Sequence, residues 1–482
     1  MAVLRVAFQT LGCKLNQLET ESIADKFLAV GMEIVPFHDV ADLYIVNTCT
    51  VTSKAEQKAR HDIRAALSKS PRTIVVATGC YAQMDSNELS SIDERVVVIS
   101  GDMKASLLSL PQWLLDNWQG HGELLHAVLE WHDEVLAAAN GSEALSNESG
   151  KINTIDLSWR NRFAFHPDRF LMHSRPALKI QDGCNNRCSY CRVCLARGPS
   201  VSLPVDEALS RIIDLEKAGK AEVVLTGVNL AQYRSSGLDF PGLLASMIKE
   251  TSSIRFRISS YEPQNIDEAF LATFANPRVR PHLHLSVQSG CTETLRRMGR
   301  PYCAEDVRQA VRNLRSMRAD PFLAADIIAG FPGENESEFE STMELLSQLD
   351  FAWIHAFPFS LRPDTRAASM KPRIPERIAG ERVKRLLGLA RQGKKAYVNR
   401  WIGKCVEMVI EHEGRRIENS HARLIVGTTE NYLKAMIKAS ESVSSSTIPC
   451  RSGDSVKVVL HSMSDGASTD GGVDALATIA QK

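Results

Sequence analysis

The chain has 482 residues, 57 acidic and 57 basic side chains, zero formal net charge and eleven cysteines. That length exceeds one compact core and predicts two or three domains, and no apolar run approaches the roughly 20 residues of a membrane span. Zero net charge excludes nucleic-acid binding through the overall field, so any such contact must come from a local patch.

Residues 1–8 carry one basic side chain and no long apolar run, so they are not read as a signal peptide. Eleven cysteines in a chain with a cytoplasmic character point to metal or redox chemistry rather than to disulfides. Residues 3–8 read as a strand, and the chain turns at Gly12-Cys13 before a helix at 18–30. A second strand at 43–46 ends in Asn47-Thr48-Cys49, a helix covers 55–68, and a third strand at 73–77 ends in Gly79-Cys80. Short apolar strands alternating with helices predict a parallel α/β sheet, whose carboxyl-end loops lie side by side. Cys13, Cys49 and Cys80 each follow such an end, so they should converge as three thiolates suited to a 4Fe-4S cluster with one open iron. The competing reading is cysteine as a small core residue. Residues 107–138 show helical apolar spacing and 140–153 are rich in Ser, Asn, Glu and Gly. The stretch 116–172 is read as a connector after a first domain at 1–115.

Cys184, Cys188 and Cys191 stand at spacing C-x3-C-x2-C. Three thiolates so close in sequence can hold three irons of one cube and leave the fourth able to bind a small molecule. Zinc would want a further ligand, usually from a distant pair. Cys194 extends the run to C-x3-C-x2-C-x2-C, and as a fourth ligand it would close the cluster. Lys179 and Arg197 flank the loop, either as cations beside an anionic group or as solvated charges. Strand-like runs at 177–180, 223–225, 256–259, 283–287, 323–328 and 353–359 alternate with helices at 206–218, 265–274, 292–298, 304–317 and 336–349. This predicts a parallel barrel or partial barrel over 173–398, with chemistry at the carboxyl ends of its strands.

Residues 371–400 are strongly basic with an apolar face, and read either as a helix facing RNA phosphates or as a solvated face between domains. Short strands at 405–411, 422–427, 433–437 and 455–460 suggest a small barrel over 399–463, a shape often used to bind RNA. Residues 464–482 are small and polar and are expected to be disordered. Cys291, Cys303, Cys405 and Cys450 lack ligand-like spacing and are read as structural.

The 184–191 spacing resembles that of the radical S-adenosylmethionine (SAM) superfamily, which implies a six-stranded open barrel and SAM chelated by the open iron. The resemblance implies SAM contacts at the strand ends: Thr226, Gly227 and Asn229 toward the amino group, and Ser259 after the third strand. It further places Gln288 at the ribose, with Gly330 and Tyr190 at the adenine. The superfamily usually has proline where this chain has Cys194; a closed cluster there would imply a non-catalytic iron-sulfur RNA-binding sensor.

The runs Thr10-Leu11-Gly12-Cys13-Lys14-Leu15-Asn16-Gln17, Asn47-Thr48-Cys49-Thr50-Val51 and Thr78-Gly79-Cys80-Tyr81-Ala82-Gln83 resemble the methylthiotransferases. Gly427-Thr428-Thr429-Glu430-Asn431-Tyr432 resembles their closing TRAM domain. Gly12 to Gln17 and Gln181-Asp182-Gly183-Cys184-Asn185-Asn186 look most like the branch acting on N6-threonylcarbamoyladenosine at position 37 of tRNA. The resemblance implies two 4Fe-4S clusters, SAM as co-substrate, and a radical that takes hydrogen from C2 of the adenine before methylthio transfer. It implies tRNA presented by its anticodon loop, an electron donor such as flavodoxin or ferredoxin, and a monomeric, cytoplasmic transferase. Sister branches act on isopentenyladenosine in tRNA or on an aspartate of a ribosomal protein.

Overall fold

The computed structural model describes residues 3–118, 123–139, 162–416, 422–440, 451–464 and 472–480. The chain forms two compact units. The first comprises residues 1–172 with 182–186 and 191–199, and the second the remainder.

The first unit is built on strands β1 (Arg5–Thr10), β2 (Glu33–Val35), β3 (Leu43–Thr48), β4 (Ile74–Gly79) and β5 (Val96–Val98). They form one parallel sheet in the order β2-β1-β3-β4-β5. Every residue of β3 and β4 is buried, as strands covered on both faces require. Successive residues serve opposite faces. Val6, Leu43, Ile45, Ile74 and Val76 join the core under helix Lys14–Ala29. Their neighbours Ala7, Tyr44, Val46, Val75 and Ala77 join the core under helix Ser53–Leu67. Thr52 caps that second helix, its hydroxyl accepting from the Ala55 N–H at 3.2 Å.

Part of the expected connector belongs to this core. Helix Leu124–Ala139 buries Ala127, Val128, Trp131 and Val135, one stripe at helical spacing, among the same side chains as Val6 and Ile45. The linker read at 140–153 lies outside the described residues.

The second unit contains the six expected strands: β6 (Ala177–Lys179), β7 (Glu222–Thr226), β8 (Arg255–Ile258), β9 (His282–Gln288), β10 (Phe322–Ala329) and β11 (Trp353–Pro358). They pair in parallel as β8-β7-β6 and β9-β10-β11. Single bridges, Phe256 to Val279 and Tyr261 to Leu285, mark the seam. The strands therefore follow chain order around an open barrel with helices between them. Helix Phe240–Glu250 had no counterpart in the sequence reading. Asp239 caps it through the Gly242 N–H at 3.0 Å, and Pro241 sits in its first turn.

After helix Glu376–Trp401 come β12 (Cys405–Arg416), β13 (Ala422–Thr429), β14 (Lys434–Ser440), β15 (Ser455–Met463) and β16 (Ala475–Ile479). They close a barrel in the order β12-β13-β14-β16-β15. β16 corrects the expectation of a disordered tail. Its small residues Ala475 and Ala477 face inward, and the strand pairs with both β14 and β15, so the barrel would stay open without it.

The basic helix is largely committed within the protein. Arg382 is buried against Glu334 at 2.9 Å, Arg385 binds Glu340 at 2.7 Å, Lys394 binds Asp474 at 3.0 Å and Arg400 binds Asp320 at 3.0 Å. Lys384, Arg391 and Lys395 remain exposed.

Candidate active site

In the first unit three loops leave the carboxyl ends of adjacent strands β1, β3 and β4, and each delivers one cysteine. Backbone and amide bonds suture them. The Leu11 N–H donates to Asn47 O at 2.9 Å. Asn16 Nδ2 donates to Leu11 O at 2.8 Å and Thr48 O at 3.1 Å, and Asn47 Nδ2 donates back to Asn16 O at 3.0 Å. Thr48 Oγ1 donates to Thr78 O at 2.6 Å and accepts from the Ala82 N–H at 3.1 Å, which ties in the third loop.

Two glycines permit this closeness. Gly12 has φ +99°, and a Cβ there would lie 2.6 Å from Cys49 Sγ; Gly79 has φ +102°, and a Cβ there would lie 2.4 Å from Thr48 O. Cys13 then starts helix Lys14–Ala29 and Cys80 starts helix Cys80–Met84. Burial pushes the Cys49 thiol up to about 12; the Val51 N–H opposes this, Cys13 and Cys80 add to it, and Arg197 opposes it. Cys49 therefore senses both other cysteines, and the three expected partners are brought together. No group of three His, Cys, Asp or Glu among the described residues is arranged around a single ion. A cube asks for a different arrangement, with thiols spread over separate irons.

Arg197, for which a solvated surface position was one reading, is instead largely enclosed in this unit, its side chain 9% exposed against Asn16, Glu19 and Asp182. Despite burial, which opposes it, the carboxylates of Glu19 and Asp182 and then Cys80 and Cys13 hold its charge firmly in place. Lys179 is buried in β6. Cys184 Sγ accepts from the Asn186 N–H and Cys191 Sγ from the Val193 N–H, both at 3.4 Å. Cys194 lies one turn on from Cys191, its Sγ 3.8 Å from the Cys191 carbonyl oxygen.

In the second unit Cys188 Sγ accepts from Arg300 Nη1 at 3.2 Å. Arg300 Nη2 pairs with Glu262 Oε1 at 2.9 Å, and Glu262 Oε2 accepts from Asn229 Nδ2 at 3.0 Å. A continuous polar relay thus joins an expected SAM contact to an expected cluster ligand. Burial works against the Arg300 charge, but Tyr302, Tyr190, Cys188 and Glu262 raise its affinity for the proton. Sequence reasoning passed over Arg300 and Glu262. The usable signal for Glu262 was an acid in a strand-end loop; Arg300 follows a left-handed Gly299 at the end of helix Thr292–Met298 and has no such cue.

The remaining expected contacts sit at consecutive strand ends. Thr226 ends β7, Ser259 follows β8, Gln288 ends β9 with φ +65°, and Gly330 follows β10. Among the described residues Ser259 Oγ is buried with no hydrogen-bond partner, which a bound ligand would supply. The two glycines answer to packing as well. A Cβ on Gly330 would meet Ala379 Cβ at 2.6 Å, and one on Gly227 would meet Gln181 Oε1 at 2.9 Å. Tyr190 packs edge-on against Phe331, ring centroids 6.4 Å apart. Cys291 and Cys303 occupy N-cap positions and Cys405 opens β12, while Cys450 lies outside the described residues. A separate cavity of about 200 Å³ lies among Arg175, Phe322, His355, Lys394, Tyr432 and Asp474, away from the carboxyl ends of the strands.

Residues 5–101 match the family described as uncharacterized protein family UPF0004, and residues 178–346 match the radical SAM superfamily. A threonylcarbamoyladenosine tRNA methylthiotransferase of Treponema pallidum is 41% identical, over 95% of this chain and 98% of that protein. One from Aquifex aeolicus is 33% identical, over 89% and 96%. The chain belongs to the radical SAM tRNA methylthiotransferases. It is a transferase, and membership of the superfamily implies SAM and a 4Fe-4S cluster. A tRNA-2-methylthio-N(6)-dimethylallyladenosine synthase of Erythrobacter litoralis is 28% identical, over 84% and 86%. In structure the methylthiotransferase is similar to a radical SAM methyltransferase, TsrM, of Kitasatospora setae, at TM-score 0.50 and 14% identity over 76% and 77% of the chains; this likeness concerns the fold. Among the described residues no helix is long and apolar enough to cross a membrane.

Proposed function

We propose that this methylthiotransferase converts N6-threonylcarbamoyladenosine at position 37 of tRNA to its 2-methylthio derivative. The observation that carries the substrate is the gradient of likeness. Identity is 41% and 33% to relatives named for threonylcarbamoyladenosine, against 28% to the relative named for dimethylallyladenosine.

In this reading Cys184, Cys188 and Cys191 hold one 4Fe-4S cluster and Cys13, Cys49 and Cys80 hold a second. When bound, the central cluster supplies the electron that splits SAM into methionine and a 5′-deoxyadenosyl radical, able to take the C2 hydrogen that no side-chain base could remove. The chain's own residues do the binding and orienting. Ser259 Oγ and the Thr226 to Asn229 loop face SAM, Glu262 steadies Asn229 and Arg300 together, and Arg300 holds the Cys188 sulfur. Gln288 meets the ribose, and Tyr190 and the Gly330 backbone meet the adenine.

The closed C-terminal barrel serves as a TRAM-like RNA-binding module, with Lys384, Arg391 and Lys395 free to meet phosphates. An anticodon loop presents its base outside a continuous stack, which keeps the cost of displaying it low. A flavodoxin or ferredoxin as donor and a cytoplasmic monomer complete the reading.

The test is mass spectrometry of tRNA nucleosides from a strain lacking the gene. The 2-methylthio form should vanish, threonylcarbamoyladenosine should accumulate, and wild type but not Cys188→Ala should restore the product. Persistence of the 2-methylthio form in a strain with no second copy would overturn the substrate.

A further inference from the structure

The segments carrying Cys184 and Cys191 are anchored in the first unit by two arginines largely shielded from solvent, and each reaches a different part of the Cys13, Cys49 and Cys80 set. Arg192, next to Cys191, is 3% exposed. Its Nη1 donates to Asp85 Oδ2 at 3.0 Å and Thr50 Oγ1 at 3.5 Å, with Glu56 Oε1 at 3.6 Å. Thr50 directly follows Cys49, and Asp85 directly follows helix Cys80–Met84. Thr50 Oγ1 in turn donates to Glu56 Oε1 at 2.6 Å, so these acceptors hold one another in place.

Arg197 works on the other side. Nη1 donates to Glu19 Oε1 at 2.9 Å and Asp182 Oδ1 at 3.1 Å, and Nη2 donates to Asn16 Oδ1 at 2.7 Å and Glu19 Oε2 at 3.1 Å. Asn16 is the amide that bridges the Leu11 and Thr48 carbonyls behind Cys13 and Cys49. Asp182 lies two residues before Cys184. Lys104 fixes Glu19 from behind at 2.6 Å. Surface charges alone need none of this, because two guanidiniums only 2% and 9% exposed, with this many fixed acceptors, are costly to assemble.

We infer that Arg192 and Arg197 are positioning residues that set the segments carrying Cys184 and Cys191 at a fixed place relative to Cys13, Cys49 and Cys80, and so couple radical generation to methylthio transfer. The inference rests on the proposed function for what is coupled, but not for the geometry. A guanidinium's planar fork suits this role, since one head must bond Asn16, Glu19 and Asp182 at once. An ammonium keeps the charge and loses that geometry.

The test uses full-length Arg197→Lys and Arg192→Lys with both clusters reconstituted. Iron content and Mössbauer spectra establish that both clusters are present. SAM cleavage to 5′-deoxyadenosine is then compared with 2-methylthio product on threonylcarbamoyladenosine-containing tRNA. Cleavage should stay within about twofold of wild type while the ratio of cleavage to product rises at least about tenfold, because a misplacement of ~1 Å costs on the order of 10²-fold in a geometry-limited step. The magnetic interaction between the two reduced clusters, read by EPR relaxation, should weaken in the same variants. Cleavage and product falling in parallel, or an unchanged cluster interaction, would overturn the inference. Absence of product with wild type would instead overturn the substrate, and the EPR result would still decide the positioning role. If Arg197→Lys fails to hold clusters, Arg192→Lys carries the same comparison.

Discussion

Glu222→Gln is expected to loosen the link between the six-stranded barrel and the C-terminal barrel. Glu222 opens β7 and is fully buried. Arg257 Nε donates to its Oε1 at 2.6 Å, Arg280 Nε donates to its Oε2 at 2.6 Å, and Arg175 stands 3.6 Å away. The two closest arginines reach on to the other barrel, Arg257 to Thr429 O at 3.1 Å and Arg280 to Glu407 Oε2 at 3.0 Å. Glutamine keeps the shape and removes the charge, leaving guanidiniums 0% and 2% exposed without their central anion. Removing one partner of a buried pair costs ~3–5 kcal/mol. Arg280 keeps Glu407 and Arg257 keeps its carbonyls, so the lower end, about 3 kcal/mol, is expected here. Because the chain has several domains, one global unfolding energy is not defined, and hydrogen exchange is the proper assay. Amides of β7, β8 and β12 should exchange on the order of 10²-fold faster, the equivalent of that energy. A change below about 1 kcal/mol would refute the assignment of Glu222 as the hub. Burial alone would raise this carboxyl, yet Arg257, Arg280 and Arg175 hold it well below the usual carboxylate range. A depressed folded value means the stabilisation is complete above the unfolded value, about 4.3, and is lost as pH falls toward the folded one. The acid loss of protection in these strands should therefore be steeper in wild type than in Glu222→Gln.

Gly12→Ala should cost the cluster proposed on Cys13, Cys49 and Cys80 while sparing the central one, since φ +99° and a contact of 2.6 Å with Cys49 Sγ both oppose a methyl group; iron per chain falling by about half reads this out, and unchanged iron contradicts it. Arg300→Met should shift the central cluster's reduction potential to more negative values, because a hydrogen bond and a positive charge on Cys188 are removed; a potential equal to wild type in spectroelectrochemical titration would count against the contact. Cys194→Ala should retain the central cluster and SAM cleavage, as the thiol lies 3.8 Å from the Cys191 carbonyl oxygen; loss of the cluster's absorbance in that variant would make Cys194 a ligand.

The parts legible in the sequence were those written in local pattern. Six barrel strands and three cysteine loops could be read because apolar runs end in Gly, Asn or Thr before the chemistry-bearing residue, as in Val46-Asn47-Thr48-Cys49. β16 was missed because its inward residues are only alanines and the five-residue run follows a stretch rich in Ser, Gly and Asp, which reads as a tail until two partner strands are present. Helix Leu124–Ala139 had the right periodicity, but no local feature says which sheet its Trp131 will enter. The basic helix could not be resolved from composition. Arg382 and Lys394 are paired by acids from distant segments, Glu334 and Asp474, and counting charges along one helix cannot reveal that.

The same limit explains why the partners of Arg197, and the roles of Arg300 and Glu262, emerge only in three dimensions. A buried charge is tolerated only where several partners converge, and convergence is a property of the fold rather than of spacing. In each unit one arginine near the cysteines is held by a carboxylate: Arg197 by Glu19 and Arg300 by Glu262. Neutralising Glu262 should therefore mimic loss of Arg300 at Cys188, whereas neutralising Glu19 should mimic loss of Arg197 at Asn16. A chain in which these cations were merely solvated would show neither correspondence.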